Sequence, residues 1–139
     1  MQGRSSALAE EGLELGGVRR FEELIAWQKA RHLTSALYQM CSGGKVHQDF
    51  RFAGQLQAAA VSIMSNIAEG FERGSSGEFH QFLKVAKGSC AEVRSLLYVA
   101  LDVGYLDKPS FDALFAQTEE VGRLVGGLRA SVQRLKETT

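Results

Sequence analysis

Residues 49–71, DFRFAGQLQAAAVSIMSNIAEGF, decide the fold. Phe52, Leu56, Ala59, Ala60, Ile63 and Ile67 recur in steps of three and four, the period that gathers side chains on one face of an α-helix. The opposite face carries Ala58, Val61, Ser62, Ser65 and Ala68, all small or apolar. A solvated helix face normally carries Lys, Glu and Gln. Small residues let another helix come close, so this face is expected to be covered by a neighbouring helix or by another subunit.

The same period continues on both sides. C-terminally, Ser75-x-x-Glu78 fits a capping box, and Phe79, Phe82, Leu83, Ala86, Cys90, Val93, Leu97 and Ala100 form a long apolar stripe. That helix ends near Val103-Gly104, with Tyr105 and Leu106 expected to fold back over its end. Pro109 suits the first turn of a further helix, with Asp107 as its cap. Phe111, Leu114, Phe115, Thr118, Val121, Leu124, Val125, Leu128, Val132 and Leu135 line its core face, with Glu119, Glu120, Arg123 and Arg129 on the rest. N-terminally, Trp27, Ala30, Leu33, Thr34, Leu37 and Cys41 make a stripe on a helix from about Phe21 to Cys41, closed by a left-handed glycine at Gly43-Gly44. Short links between long amphipathic helices force antiparallel neighbours. The sequence therefore predicts an all-α, up-and-down antiparallel four-helix bundle over residues 20–139. Residues 1–19, rich in glycine and small polar residues, read as a flexible N-terminal arm or as a segment upstream of the natural start.

Length and charge bound the function. The chain has 139 residues, 45% of them hydrophobic, which is one domain with one core. Sixteen basic residues balance sixteen acidic ones, so bulk charge cannot hold a polyanion. Nucleic-acid binding needs a local basic patch, repeated by oligomerisation. Cys41 and Cys90 sit far apart in helical patterns and read as buried thiols. The N-terminal segment has neither the apolar run of a signal peptide nor the composition of a presequence, and no stretch is apolar enough to span a bilayer. A cytoplasmic protein without a membrane partner is expected.

Enzyme chemistry finds little support. Di-iron bundles use Glu-x-x-His on two helices, whereas the nearest patterns here are Glu69-x-x-Glu72 and the pair Glu78 and His80, two residues apart and on different faces. His32, His47 and His80 read as exposed polar residues with no nucleophile beside them. Gly70 to Gly74 lacks the Lys-Ser/Thr ending of a phosphate loop. No catalytic residue, metal site or cofactor is expected. What remains is a basic stripe, His80, Lys84, Lys87 and Arg94, along one side of the third long helix, with Ala91 filling the gap. Such a stripe can follow a phosphate backbone, although surface lysines also serve plain solvation.

VSIMSNIAEGFERG, residues 61–74, together with Ser76, Glu78, Phe79, Phe82, Leu83, Ala86, Gly88, Ser89 and Glu92, resembles the signature of a bacterial family of helical bundles. That family is named after proteins encoded in intervening sequences of 23S rRNA genes. Phe21-Glu-Glu-Leu24 with Trp27-Gln-Lys-Ala30 is similar to its opening, and Leu101-x-x-Gly104-Tyr105-Leu106 to the end of its third helix. The resemblance covers about residues 20–135 and extends to the accessory variability protein of diversity-generating retroelements. It implies a non-catalytic homo-oligomer, a pentamer by that relative, with RNA or DNA, or a protein such as a nucleic-acid enzyme, as partner. Met64 stands where the family carries proline, and no arginine occurs near Gln57 and Ala58. The corner residues Asn66, Glu69, Gly70, Arg73 and Glu78 read as a polar network, with Arg73 pairing Glu69 one turn away and Gly70 allowing close packing; a binding site is the alternative.

Overall fold

The computed structural model describes residues 17–138; of the arm expected over residues 1–19, residues 1–16 lie outside the described residues. A 3-10 turn, Phe21–Glu23, precedes five helices: α1 (Ile25–Met40), α2 (Gly44–Gln48), α3 (Phe50–Glu72), α4 (Ser76–Asp102) and α5 (Lys108–Thr138). Four of these are long. Helix α1 packs on α3 and α5, and α4 packs on the same two, so consecutive long helices are neighbours around a square. With links this short they alternate in direction, and the architecture is the all-α up-and-down bundle that the periodicity implied. No helix among the described residues is long and apolar enough to cross a membrane.

The interior is hydrocarbon. Leu33 and Leu37 of α1, Leu56, Ile63 and Ile67 of α3, Leu83, Val93 and Leu97 of α4, and Val121, Val125 and Val132 of α5 are fully buried. Phe71 and Phe79 meet edge to face, ring centroids 5.9 Å apart, where α3 turns into α4. Of the buried hydroxyls, Thr118 donates one turn back to the Leu114 carbonyl at 2.7 Å. Both cysteines are buried free thiols.

The helix ends follow their cap residues. Asp49 caps α3 by accepting the Phe52 N–H at 3.1 Å. Asp107 caps α5 through the Ser110 N–H at 2.9 Å. Gly104, at φ +83°, ends α4 and lets Tyr105 and Leu106 fold back, both N–H groups donating to the Ala100 carbonyl. The folded-back Tyr105 then donates its hydroxyl to the second oxygen of Asp49 at 2.6 Å, across 56 positions, and its ring meets Phe52. That bond ties the start of α3 to the α4–α5 link at one end of the bundle.

Two boundaries differ from the expectation. The first long helix begins at Ile25, because Leu24 is extended (φ −72°, ψ 126°). Local side-chain bonds compete with the helical ladder there: the Arg19 N–H donates to the Glu23 carboxylate, and Gln28 Nε2 to the Glu22 carbonyl. Val18 and Phe21 pack on the core beside Trp27. Secondly, α1 ends on right-handed Cys41 rather than on a left-handed glycine. The left-handed residue is Gly44, φ +66°, which opens the short helix α2 and drops Val46 into the core.

Candidate functional site

Helices α4 and α5 meet over small residues. A Cβ built on Gly122 would stand 3.9 Å from Cys90 Cβ, and one on Gly126 would stand 3.5 Å from Lys87 Nζ. The missing side chains leave a groove of about 300 Å³ lined by Lys84, Lys87, Gly88, Cys90, Ala91, Arg94, Gly122 and Arg129. Three members of the basic stripe thus stand in one groove. The facing helix adds a fourth cation, Arg129.

None of Lys84, Lys87, Arg94 and Arg129 has a carboxylate within salt-bridge distance among the described residues. The surrounding composition explains this. Residues 80–101 and 121–136 together hold seven Lys or Arg and one acid, Glu92. The neutral total therefore hides a segregated positive face. Cys90 forms part of the floor as a neutral thiol: burial pushes it up to about 11, although Arg94 and Lys87 pull the other way. It adds no negative charge to the groove.

Arg129 also borders a second hollow, of about 230 Å³, lined by His80, Gly126, Ala130 and Gln133. His80 was expected to be an exposed polar residue. Instead it is half-buried, and its Nδ1 is enclosed without a hydrogen-bond partner, as is Nε of Arg129. Burial foremost, then the charges of Arg129, Lys136 and Lys84, hold the imidazole below its ordinary value. Sequence reading missed Arg129, although Gly122, Gly126 and Ala130 recur every fourth residue along α5 and mark the face where another helix comes close.

The corner residues do not form one network. Asn66 points back along α3, donating to the Ser62 carbonyl at 2.8 Å and to its hydroxyl at 3.1 Å. Ser62 in turn meets Ser89 of α4 at 2.8 Å. Arg73 does not pair with Glu69; it lies 3.9 Å from Glu78 and over the Phe82 ring, 4.9 Å from its centroid. Arg73 is the C-cap of α3, its backbone N–H still on the Glu69 carbonyl, and Gly74, at φ +89°, turns the chain toward α4 and Glu78. The capping residue works as expected, Ser75 Oγ accepting the Glu78 N–H at 3.2 Å while its hydroxyl donates to the Glu78 carboxylate. Gly70 is the packing residue of the corner: a Cβ there would stand 2.6 Å from Phe82 Cβ.

On the small-residue face, Ser62, which meets α4, and Ala68 are half-buried, while Ala58, Val61 and Ser65 stay exposed. The Ser62–Ser89 contact fixes the register of α3 against α4. Since the helices run antiparallel, Val85, one turn before Ser89 and 53% exposed, lies level with Ser65. Apolar surface thus continues from α3 onto α4. Among the described residues, no three His, Cys, Asp or Glu side chains gather where they could hold a metal.

The family model of the 23S rRNA-intervening sequence protein matches residues 22–127. The chain belongs to this family. The match spans α1 to α4 and most of α5, including the groove as far as Gly126, and leaves out Arg129. No curated protein matches the chain in sequence. As a 23S rRNA-intervening sequence family member it is a small helical protein, and the family is not one of known enzymes.

Proposed function

We propose that this family member is a non-catalytic, oligomeric binding module that holds RNA or DNA by its phosphates along the α4/α5 groove. The observation that carries the reading is the groove itself: Lys84, Lys87, Arg94 and Arg129 converge there, with no carboxylate among the described residues within salt-bridge distance. Phosphate backbones are held by such groups, and contacts of this kind position a strand without reading its sequence. The family's name, 23S rRNA-intervening sequence protein, supports a nucleic-acid partner.

Self-association supplies what a neutral chain lacks. The exposed Ala58, Val61 and Ser65, with Val85 beside them, form an apolar strip suited to close contact with a second copy. The pentamer implied by the resemblance to the retroelement accessory protein would array several positive grooves on one assembly, where their potentials add. The same strip supports a second reading, a protein-interaction oligomer with no nucleic-acid role, since apolar surface of this kind serves either.

Solution mass followed by gel shift separates these. The expected result is a mass of several chains, reduced to one chain by Val61→Glu, and binding of single-stranded RNA or DNA at low salt that Lys84→Glu/Lys87→Glu abolishes. A monomeric native mass contradicts the oligomer. A double variant that binds like the native chain contradicts the groove.

A further inference from the structure

We infer that His80 and Arg129 form a subsite for one phosphate oxyanion at the end of the groove, and that His80 takes up a proton when the oxyanion seats. The inference rests on the reading of the groove as a phosphate track. Its own ground is the second hollow, lined by His80, Gly126, Arg129, Ala130 and Gln133. Two of these residues carry a buried nitrogen without a partner, His80 Nδ1 and Arg129 Nε. Buried polar groups are nearly always bonded, and leaving one unmet costs about 1–3 kcal/mol. Arg129 Nε is a donor at every accessible pH, so it needs an acceptor. An imidazolium Nδ1 needs one too. Among the lining side chains, Gln133 and the unprotonated nitrogen of a neutral His80 ring are the acceptors, and neither Arg129 Nε nor His80 Nδ1 is bonded to anything. A phosphate oxygen offers acceptors alone, and so satisfies both nitrogens at once.

The charges around His80 give the proton its direction. Lys84 from its own helix and Arg129 and Lys136 from α5 act on it; on α3, which also packs against α4, the charged residues of the last turn are Glu69 and Glu72. In the free protein burial and these cations keep the ring neutral near pH 7. An oxyanion among them reverses the balance, because an opposite charge favours the protonated ring. The proton comes from solvent and bonds to the ring; no other bond forms or breaks. By linkage, binding takes up a proton and so tightens as the pH falls.

The test is an NMR titration of the histidine rings of the full chain, free and with saturating short single-stranded RNA. His32 and His47, both exposed, are the internal references. The expected result is a rise in the His80 pKa of about one unit, with RNA affinity about tenfold higher near pH 5.5 than near pH 7.5. His80→Gln is expected to flatten that pH profile while the salt-dependent binding through Lys84 and Lys87 persists. A His80 titration that saturating RNA leaves unmoved overturns the subsite, and so does a His80→Gln chain that keeps the native pH profile. If RNA does not bind at all, the groove reading fails and millimolar inorganic phosphate decides alone: a raised His80 pKa supports the subsite, and an unchanged one overturns it.

Discussion

Gly70 and Gly54 lie on the same helix and have opposite needs. A side chain at Gly70 meets Phe82 Cβ at 2.6 Å and Phe79 Cδ1 at 2.9 Å, both held in the corner between α3 and α4. A side chain at Gly54 meets nothing within 4 Å. In chemical denaturation, Gly70→Ala is therefore expected to lose about 1–3 kcal/mol by overpacking. Gly54→Ala is expected to gain about 0.4–1 kcal/mol by restricting the unfolded chain. Equal effects at the two positions would refute the packing role of Gly70. The residue scale also holds a pH effect. The Tyr105 hydroxyl foremost, then the Phe52 N–H, keeps the Asp49 carboxyl below the ordinary carboxylate range. A lowered value in the folded state means that the stabilisation is present above the unfolded pKa, about 3.9, and is lost as pH falls through the folded value. Tyr105→Phe should lower the melting temperature at neutral pH, and the gap to the native chain should close in strong acid. A gap independent of pH would mean that the ring against Phe52, rather than the hydroxyl, holds this end together.

At the scale of the element, what was legible in the sequence was what depends on neighbours along the chain. The apolar stripes of α3, α4 and α5, the Ser75 and Asp107 caps and the fold-back after Gly104 all rest on residues within a few positions of each other. The helix start at Ile25 was hidden because the competing bonds, from the Arg19 N–H to the Glu23 carboxylate and from the Gln28 side chain to the Glu22 carbonyl, are ones that a period count does not weigh. Helix α2 was hidden because five residues are too few for a period, and only the burial of Val46 marks them. The candidate site was half legible. Lys84, Lys87 and Arg94 share a face by spacing alone, whereas Arg129 joins them through the register of α5 on α4, which is a tertiary fact. The Asp49–Tyr105 bond is hidden for the same reason. Capping gives this scale its own prediction: Ser75→Ala should lower stability by about 1 kcal/mol, and Ser75→Gly by only a few tenths. Thermal unfolding of the two variants checks it, and an equal loss in both would assign the effect to the turn rather than to the hydroxyl.

For the whole molecule, the decisive feature is how a chain with balanced charge keeps its cations. Acids elsewhere in the chain make the total zero: Glu22 lies near Arg20, Glu78 near Arg73, Glu120 near Lys29, and Asp112 accepts from Lys108. Among the described residues the α4/α5 groove is spared this pairing, so a neutral protein presents a locally positive groove. Because Lys84 and Lys87 are exposed, replacing them with glutamine should leave the fold within about 0.5 kcal/mol of its native stability. Binding can then be compared between equally folded chains. The most direct measurement is the dependence of single-stranded RNA affinity on salt, for the native chain and for Lys84→Gln/Lys87→Gln. Four groove cations on phosphates give a log–log slope of about −3 for each occupied groove, and the double variant should reduce its magnitude by about 1.4. No binding at low salt, or a slope that the variant leaves unchanged, would contradict the groove as the nucleic-acid surface.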